Sequence, residues 1–154
     1  MLSTLLLASL AAFGQASGAP AADLCKSIAP AEVAAVLGRE ATKGEALIPG
    51  SCSWNGKGAN LLVTRVAVEN PAQALMVADG RKAGAAKDEI VRDEPGLGQR
   101  ASSTLAANKR TLTFIVADGA NVWSFTLSKG DQAIDADAVL PPMRELARKA
   151  VAAR

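Results

Sequence analysis

The chain has 154 residues with a formal net charge of +2, and almost half of them (49%) are hydrophobic while only 3% are aromatic. That length holds one domain with a core of its own and is short for two. With no histidine and no tyrosine, the usual bases for activating a serine or cysteine are missing. The basic residues are too scattered (Lys109-Arg110, Arg144, Arg148-Lys149) for a nucleic-acid-binding face.

The N-terminal region reads as a secretory signal over residues 1–22, followed by one domain over 23–154. Leu2 to Phe13 is an apolar run of h-region length. Gly14-Gln15-Ala16 and Ala19-Pro20-Ala21 are two small-x-small endings at which cleavage can occur. The run is too short for a membrane span, so no transmembrane segment is expected after cleavage. No Lys or Arg precedes Lys26, which makes the n-region atypical or places the true start upstream. Lipoprotein processing wants a small residue directly before the cysteine, and Leu24 stands before Cys25.

Cys25 and Cys52 are the only cysteines. In an oxidising compartment an even count favours a disulfide, with a two-cysteine metal site as the weaker alternative. Periplasmic or secreted localisation follows from the signal and the cysteines together.

The first helix is expected over Ser27 to Gly38, with Pro30 at its first turn and Gly38 as terminator. Residues 39–50 read as a polar connection with a short strand near Ala46-Leu47-Ile48. Ser51–Asn55 forms a strand with Cys52 and Trp54 on one face, and Asn55-Gly56-Lys57-Gly58 is turn chemistry. Asn60–Glu69 is the most strand-like segment; it is apolar on both faces, which predicts a central position.

Asn70-Pro71-Ala72-Gln73 opens a second helix that Gly80 would end. Ile90-Val91 is a brief strand before a tight turn at Pro95-Gly96-Leu97-Gly98. From Gln99 to Ser128 the pattern is a three-stranded meander whose first strand, Ser102-Ser103-Thr104, is polar enough for an edge. Parity fixes the hairpin at Asp118-Gly119. Leu112, Phe114 and Val116 share one face, as do Trp123, Phe125 and Leu127, and only an even loop puts the two sets together. A last helix starts near Pro141, with Met143, Leu146, Ala147 and Ala150 inward. The order, roughly α-β-β-α-β-β-β-α, implies an α+β fold with a mostly antiparallel sheet and helices packed on it.

Candidate chemistry is sparse. Asp88-Glu89 and Asp93-Glu94 crowd what reads as a solvated loop, although paired acids can do glycosidase-type work. Asp131, Asp135 and Asp137 offer oxygens to a cation but lack the glycine and terminal Glu of a calcium loop. Gly96-Leu97-Gly98-Gln99-Arg100-Ala101 superficially matches a dinucleotide fingerprint without its strand–helix setting, so it is a turn. Trp54 and Trp123 are core aromatics or the lining of a pocket. No catalytic, metal or cofactor residues are assigned, and no cofactor is expected.

The run Cys25, Ala31-Glu32-Val33 through Leu37-Gly38, Cys52-Ser53-Trp54 and Gly96-Leu97-Gly98 with Ala101 resembles a family of small exported bacterial domains of unknown function. Many of its members are lipoproteins. The resemblance covers roughly residues 24–150 and implies a Cys25–Cys52 bridge and an α+β sheet domain, with no catalytic residues. Because no chemistry is assembled on this exported scaffold, the expected function is a non-enzymatic binding or accessory protein of the bacterial envelope, with a protein or small-molecule partner. The alternatives are a carboxylate- or metal-dependent hydrolase and a structural envelope component.

Overall fold

The computed structural model describes residues 21–153; the apolar run Leu2–Phe13 and the cleavage endings before Ala21 lie outside them. Two short helices lead: α1 (Ala21–Ser27) and α2 (Pro30–Leu37). Six strands and two more helices follow: β1 (Ser51–Gly56), β2 (Ala59–Ala67), α3 (Pro71–Ala83), β3 (Ile90–Asp93), β4 (Arg100–Leu105), β5 (Thr111–Asp118), β6 (Asn121–Lys129) and α4 (Ala136–Ala152). The strands form one sheet in the order β1-β2-β6-β5-β4-β3, and every neighbouring pair is antiparallel. After β2 the chain crosses one face as α3 and restarts at the far edge with β3. It then meanders back until β6 pairs with β2.

Period-two alternation makes the two faces unequal. The inner face carries Cys52, Trp54, Leu61, Val63, Leu112, Phe114, Val116, Trp123, Phe125 and Leu127, all buried. With Leu24 of α1, Ile28 of the α1–α2 junction, Val33, Val36 and Leu37 of α2, and Met143, Leu146 and Ala147 of α4, they form the main core. On the other face Ala74 and Ala78 of α3 sit on Ile115, Ala117 and Val122 in a second, smaller core.

The expected parity of the β5–β6 hairpin is what forms. Gly119-Ala120 is a two-residue loop and Phe114 pairs with Phe125, the rings meeting edge to face at 6.5 Å. Gly119 has φ 56, the positive value required at the first position of a type II′ turn.

Several boundaries differ from expectation, each for a physical reason. Cys25 belongs to a separate helix, α1, that packs on β1. α2 begins at Pro30 and stops at Gly38 in the left-handed conformation, as expected. The segment near Ala46 is not a strand; an isolated bridge from Glu45 to Ser53 holds it to the β1 edge instead. β2 is paired on both sides, yet Val66 on its outer face is 55% exposed.

α3 opens as predicted, with Asn70 Oδ1 accepting from the Gln73 N–H at 2.9 Å, but it runs through Gly80 to Ala83. Gly84 N–H then closes on the Gly80 carbonyl. Arg81 and Lys82 in the last turn suit the negative end of the helix dipole. β4 is interior rather than an edge, because β3 pairs along it. α4 starts five residues before Pro141: Asp135 caps it by accepting from the Asp137 and Ala138 N–H groups, and Pro141 and Pro142 lie inside the helix.

Candidate functional site

Cys25 and Cys52 form a disulfide with Cα atoms 5.3 Å apart. Cys52 is wholly buried on the inner face of β1, whereas Cys25, on α1, is only partly buried. Two residues beyond Cys52 on the same face, Trp54 is 2% exposed. The bridge and this indole share one end of the molecule with the loop between α2 and β1.

That loop has no periodic pattern, and backbone bonds to the β1 edge fix its place. Thr42 N–H donates to the Asn55 carbonyl at 2.8 Å, and Glu45 and Ser53 exchange two bonds of 2.9 Å each. Thr42 Oγ1 accepts from the Asn55 N–H at 3.1 Å. The segment then passes so close to the sheet that only glycine fits at position 44. A Cβ there would lie 2.5 Å from Trp54 Nε1 and 2.8 Å from Cys52 Sγ.

Between this loop and the α1–α2 junction lies an open cleft of about 670 Å³, lined chiefly by Cys25, Ile28, Pro30, Gly44 and Trp54, with Lys26 and Lys43 beside them. The lining is predominantly apolar, and its two charged members are both lysines. Concave, mostly apolar surfaces of this size are where small molecules bind.

Trp123 takes no part in this cleft. It pairs with Arg65 of β2, four residues along from Leu61, the partner of Trp54. At about 3.3 Å per residue that is a separation of roughly 13 Å along the strand. Trp123 stacks on Phe125 at 6.3 Å, and the Arg65 guanidinium lies 5.2 Å from the centre of its ring. It is a core residue sealed by a cation–π contact.

Among the described residues the candidate acids do not converge. Asp93 and Glu94 are adjacent in sequence but leave the β3 edge on opposite faces. Asp93 pairs with Lys82 of α3 at 2.6 Å. Glu94, expected in a solvated loop, is instead 2% exposed; it accepts from Ser103 Oγ at 2.7 Å and from Arg144 Nε of α4 at 2.5 Å. Glu89 Oε2 accepts from the Ala86 N–H, and Asp88 is exposed.

Asp135 is the α4 cap, Asp137 pairs with Arg92 at 2.8 Å, and Asp131 is exposed. The hydrogen bond from Arg92 to Asp137, helped by the carboxylate's charge, raises the arginine further above its ordinary pKa. Among the described residues no group of three or more His, Cys, Asp or Glu side chains is placed to hold a metal ion.

The glycine run behaves as the expected turn. Gly96 and Gly98 have φ 81 and 53, and a Cβ on Gly98 would meet the Ala117 carbonyl oxygen at 2.6 Å. Leu97 between them is buried.

No protein-family model matches the chain, nor does any curated protein or solved structure at a significant level. The functional reading therefore rests on residues and geometry. Among the described residues no helix is long and apolar enough to cross a membrane. A disulfide inside the core fits a non-cytoplasmic setting.

Proposed function

We propose that the protein is an exported, non-enzymatic binding or accessory domain of a bacterial envelope, and that it takes a small apolar ligand in the cleft beside the disulfide. The observation that carries this reading is the cleft itself, an apolar concavity walled by Cys25 and Gly44 and floored by Trp54. The disulfide holds one wall and the β1-edge bonds hold the other, so both sides of the cleft are pre-positioned. A preformed cleft spares a ligand the ordering cost that weakens flexible sites.

A carboxylate-dependent hydrolase has less support. Glu94, the buried acid among the described residues, is already engaged by Arg144 and Ser103, and its neighbour Asp93 sits on the far face of the sheet with Lys82. A purely structural envelope role gives the cleft no purpose.

A fragment titration of the ¹⁵N-labelled, oxidised protein tests the reading. Ligands should shift the Trp54 indole N–H together with the backbone amides of Cys25, Ala29 and Gly44. The Trp123 indole should stay still. Shifts confined to other surfaces, or none from a library that includes apolar fragments, would refute it. N-terminal sequencing of the exported protein tests the compartment: the mature chain should begin between Ser17 and Asp23, and an intact Leu2–Phe13 segment would contradict secretion by cleavage.

A further inference from the structure

We infer that the cleft selects a free carboxylate carried on an apolar body, such as a medium-chain acyl or aryl acid; this deepens the binding reading and rests on it. The charged groups of the lining are Lys26 and Lys43, with no acid among the residues that form it. They come from opposite walls: Lys26 follows the bridged Cys25 on α1, and Lys43 precedes Gly44 on the loop. Neither is ion-paired among the described residues, where the paired lysines are Lys82 and Lys149.

Two lysines in the lining of an apolar cleft complement one anionic head attached to an apolar tail, whereas a neutral or cationic head gains nothing from them. Thr42 adds a neutral donor at the same rim. Its Oγ1 already accepts from the Asn55 N–H, which leaves its own proton for a carboxylate oxygen.

The geometry also decides between a dissolved ligand and a membrane surface. Recognition of anionic lipid surfaces uses clusters of roughly four to eight basic residues, and this cleft presents Lys26 and Lys43 alone. The exposed apolar residues Leu47, Ile48 and Val66 are not part of its lining. The occupant is a soluble amphiphilic acid.

The test uses the exported, oxidised protein, with Trp54 assigned by comparison with a Trp123→Phe variant. Decanoate, decanol and decyltrimethylammonium are titrated below their micelle concentrations at one ionic strength, reading the Trp54 indole N–H. Decanoate should bind about tenfold more tightly than decanol, and the ammonium amphiphile most weakly. A Lys26→Gln/Lys43→Gln double variant should lose about tenfold for decanoate and nothing for decanol; both lysines are exposed, so the fold should be unaffected. If that variant does not fold, the three-ligand comparison on the unaltered protein decides alone.

Equal binding of decanoate and decanol at Trp54 would overturn the carboxylate inference and leave the binding cleft standing. Movement of Trp54 by none of the three would remove both. Binding to anionic phospholipid vesicles with no response to dissolved decanoate would overturn the soluble-acid assignment.

Discussion

Replacing both cysteines by alanine removes the one covalent tie between α1 and the sheet. The bridge spans 27 positions in sequence, and closing a ring of that size in the unfolded chain is worth roughly 3–4 kcal/mol in the chain-entropy account. Cys52 is fully buried, so losing its sulfur adds about 1 kcal/mol of void and lost contact. For about 130 described residues, unfolding entropy near the midpoint is roughly 0.3 kcal/mol per degree. Together these give a fall in Tm of about 13–17 °C, read by circular dichroism on the oxidised protein and the double variant.

The loss should also be uneven. Without the bridge, the described side chains hold α1 in the core through Leu24, with Ile28 just beyond its end, so its amides should exchange with solvent well before those of β5 and β6. A Tm shift under about 3 °C, or uniform loss of protection across the sheet, would refute the reasoning.

Arg144→Ala should cost more than Glu94→Gln, about 3 kcal/mol against 1–2 in urea unfolding. The first strands a carboxylate that is 2% exposed, while the second leaves a guanidinium that still reaches water; equal costs would contradict the buried network. Gly98→Ala should lower stability by more than about 2 kcal/mol, because the positive φ and the Ala117 carbonyl at 2.6 Å leave the added methyl no room; a neutral result would count against the turn geometry.

The Lys149–Glu32 pair at 2.9 Å joins α4 to α2, and hydrogen bonding to Glu32, with its charge, raises the lysine above its ordinary pKa. A raised lysine lends stability below its ordinary titration range and loses it as pH climbs through the raised value. The stability difference between the unaltered protein and Glu32→Gln should therefore persist through neutral pH and close only in strong alkali. A difference that closes below pH 9 would refute the pairing.

Local signals were legible wherever their period was short. The even β5–β6 loop that faces Phe114 with Trp123 or Phe125 followed from strict alternation, the structure choosing Phe125, and the start of α3 followed from Asn70 and Pro71, whose effects act within one turn. What escaped was set by distant groups. α1 is a seven-residue helix, too short to declare itself by periodicity, and its position comes from a bond to Cys52. Pro141 suggested a helix start because proline suits the first turn. The Asp135 cap lies upstream, and the helix tolerates two prolines within it. Glu94 read as a loop acid because its partner, Arg144, is fifty residues away. The cleft was only half visible. Trp54 was a candidate from the start, but the loop that faces it is placed by hydrogen bonds to an edge strand, which leave no mark in the pattern of side chains.

The most direct test is a set of intermolecular NOEs recorded on the oxidised protein with decanoate. Contacts from the alkyl protons to the Trp54 ring and the Ile28 methyls are the predicted result. Contacts confined to Leu47, Ile48 or Val66, with the Trp54 ring silent, would contradict the claim that this protein binds its ligand beside the disulfide.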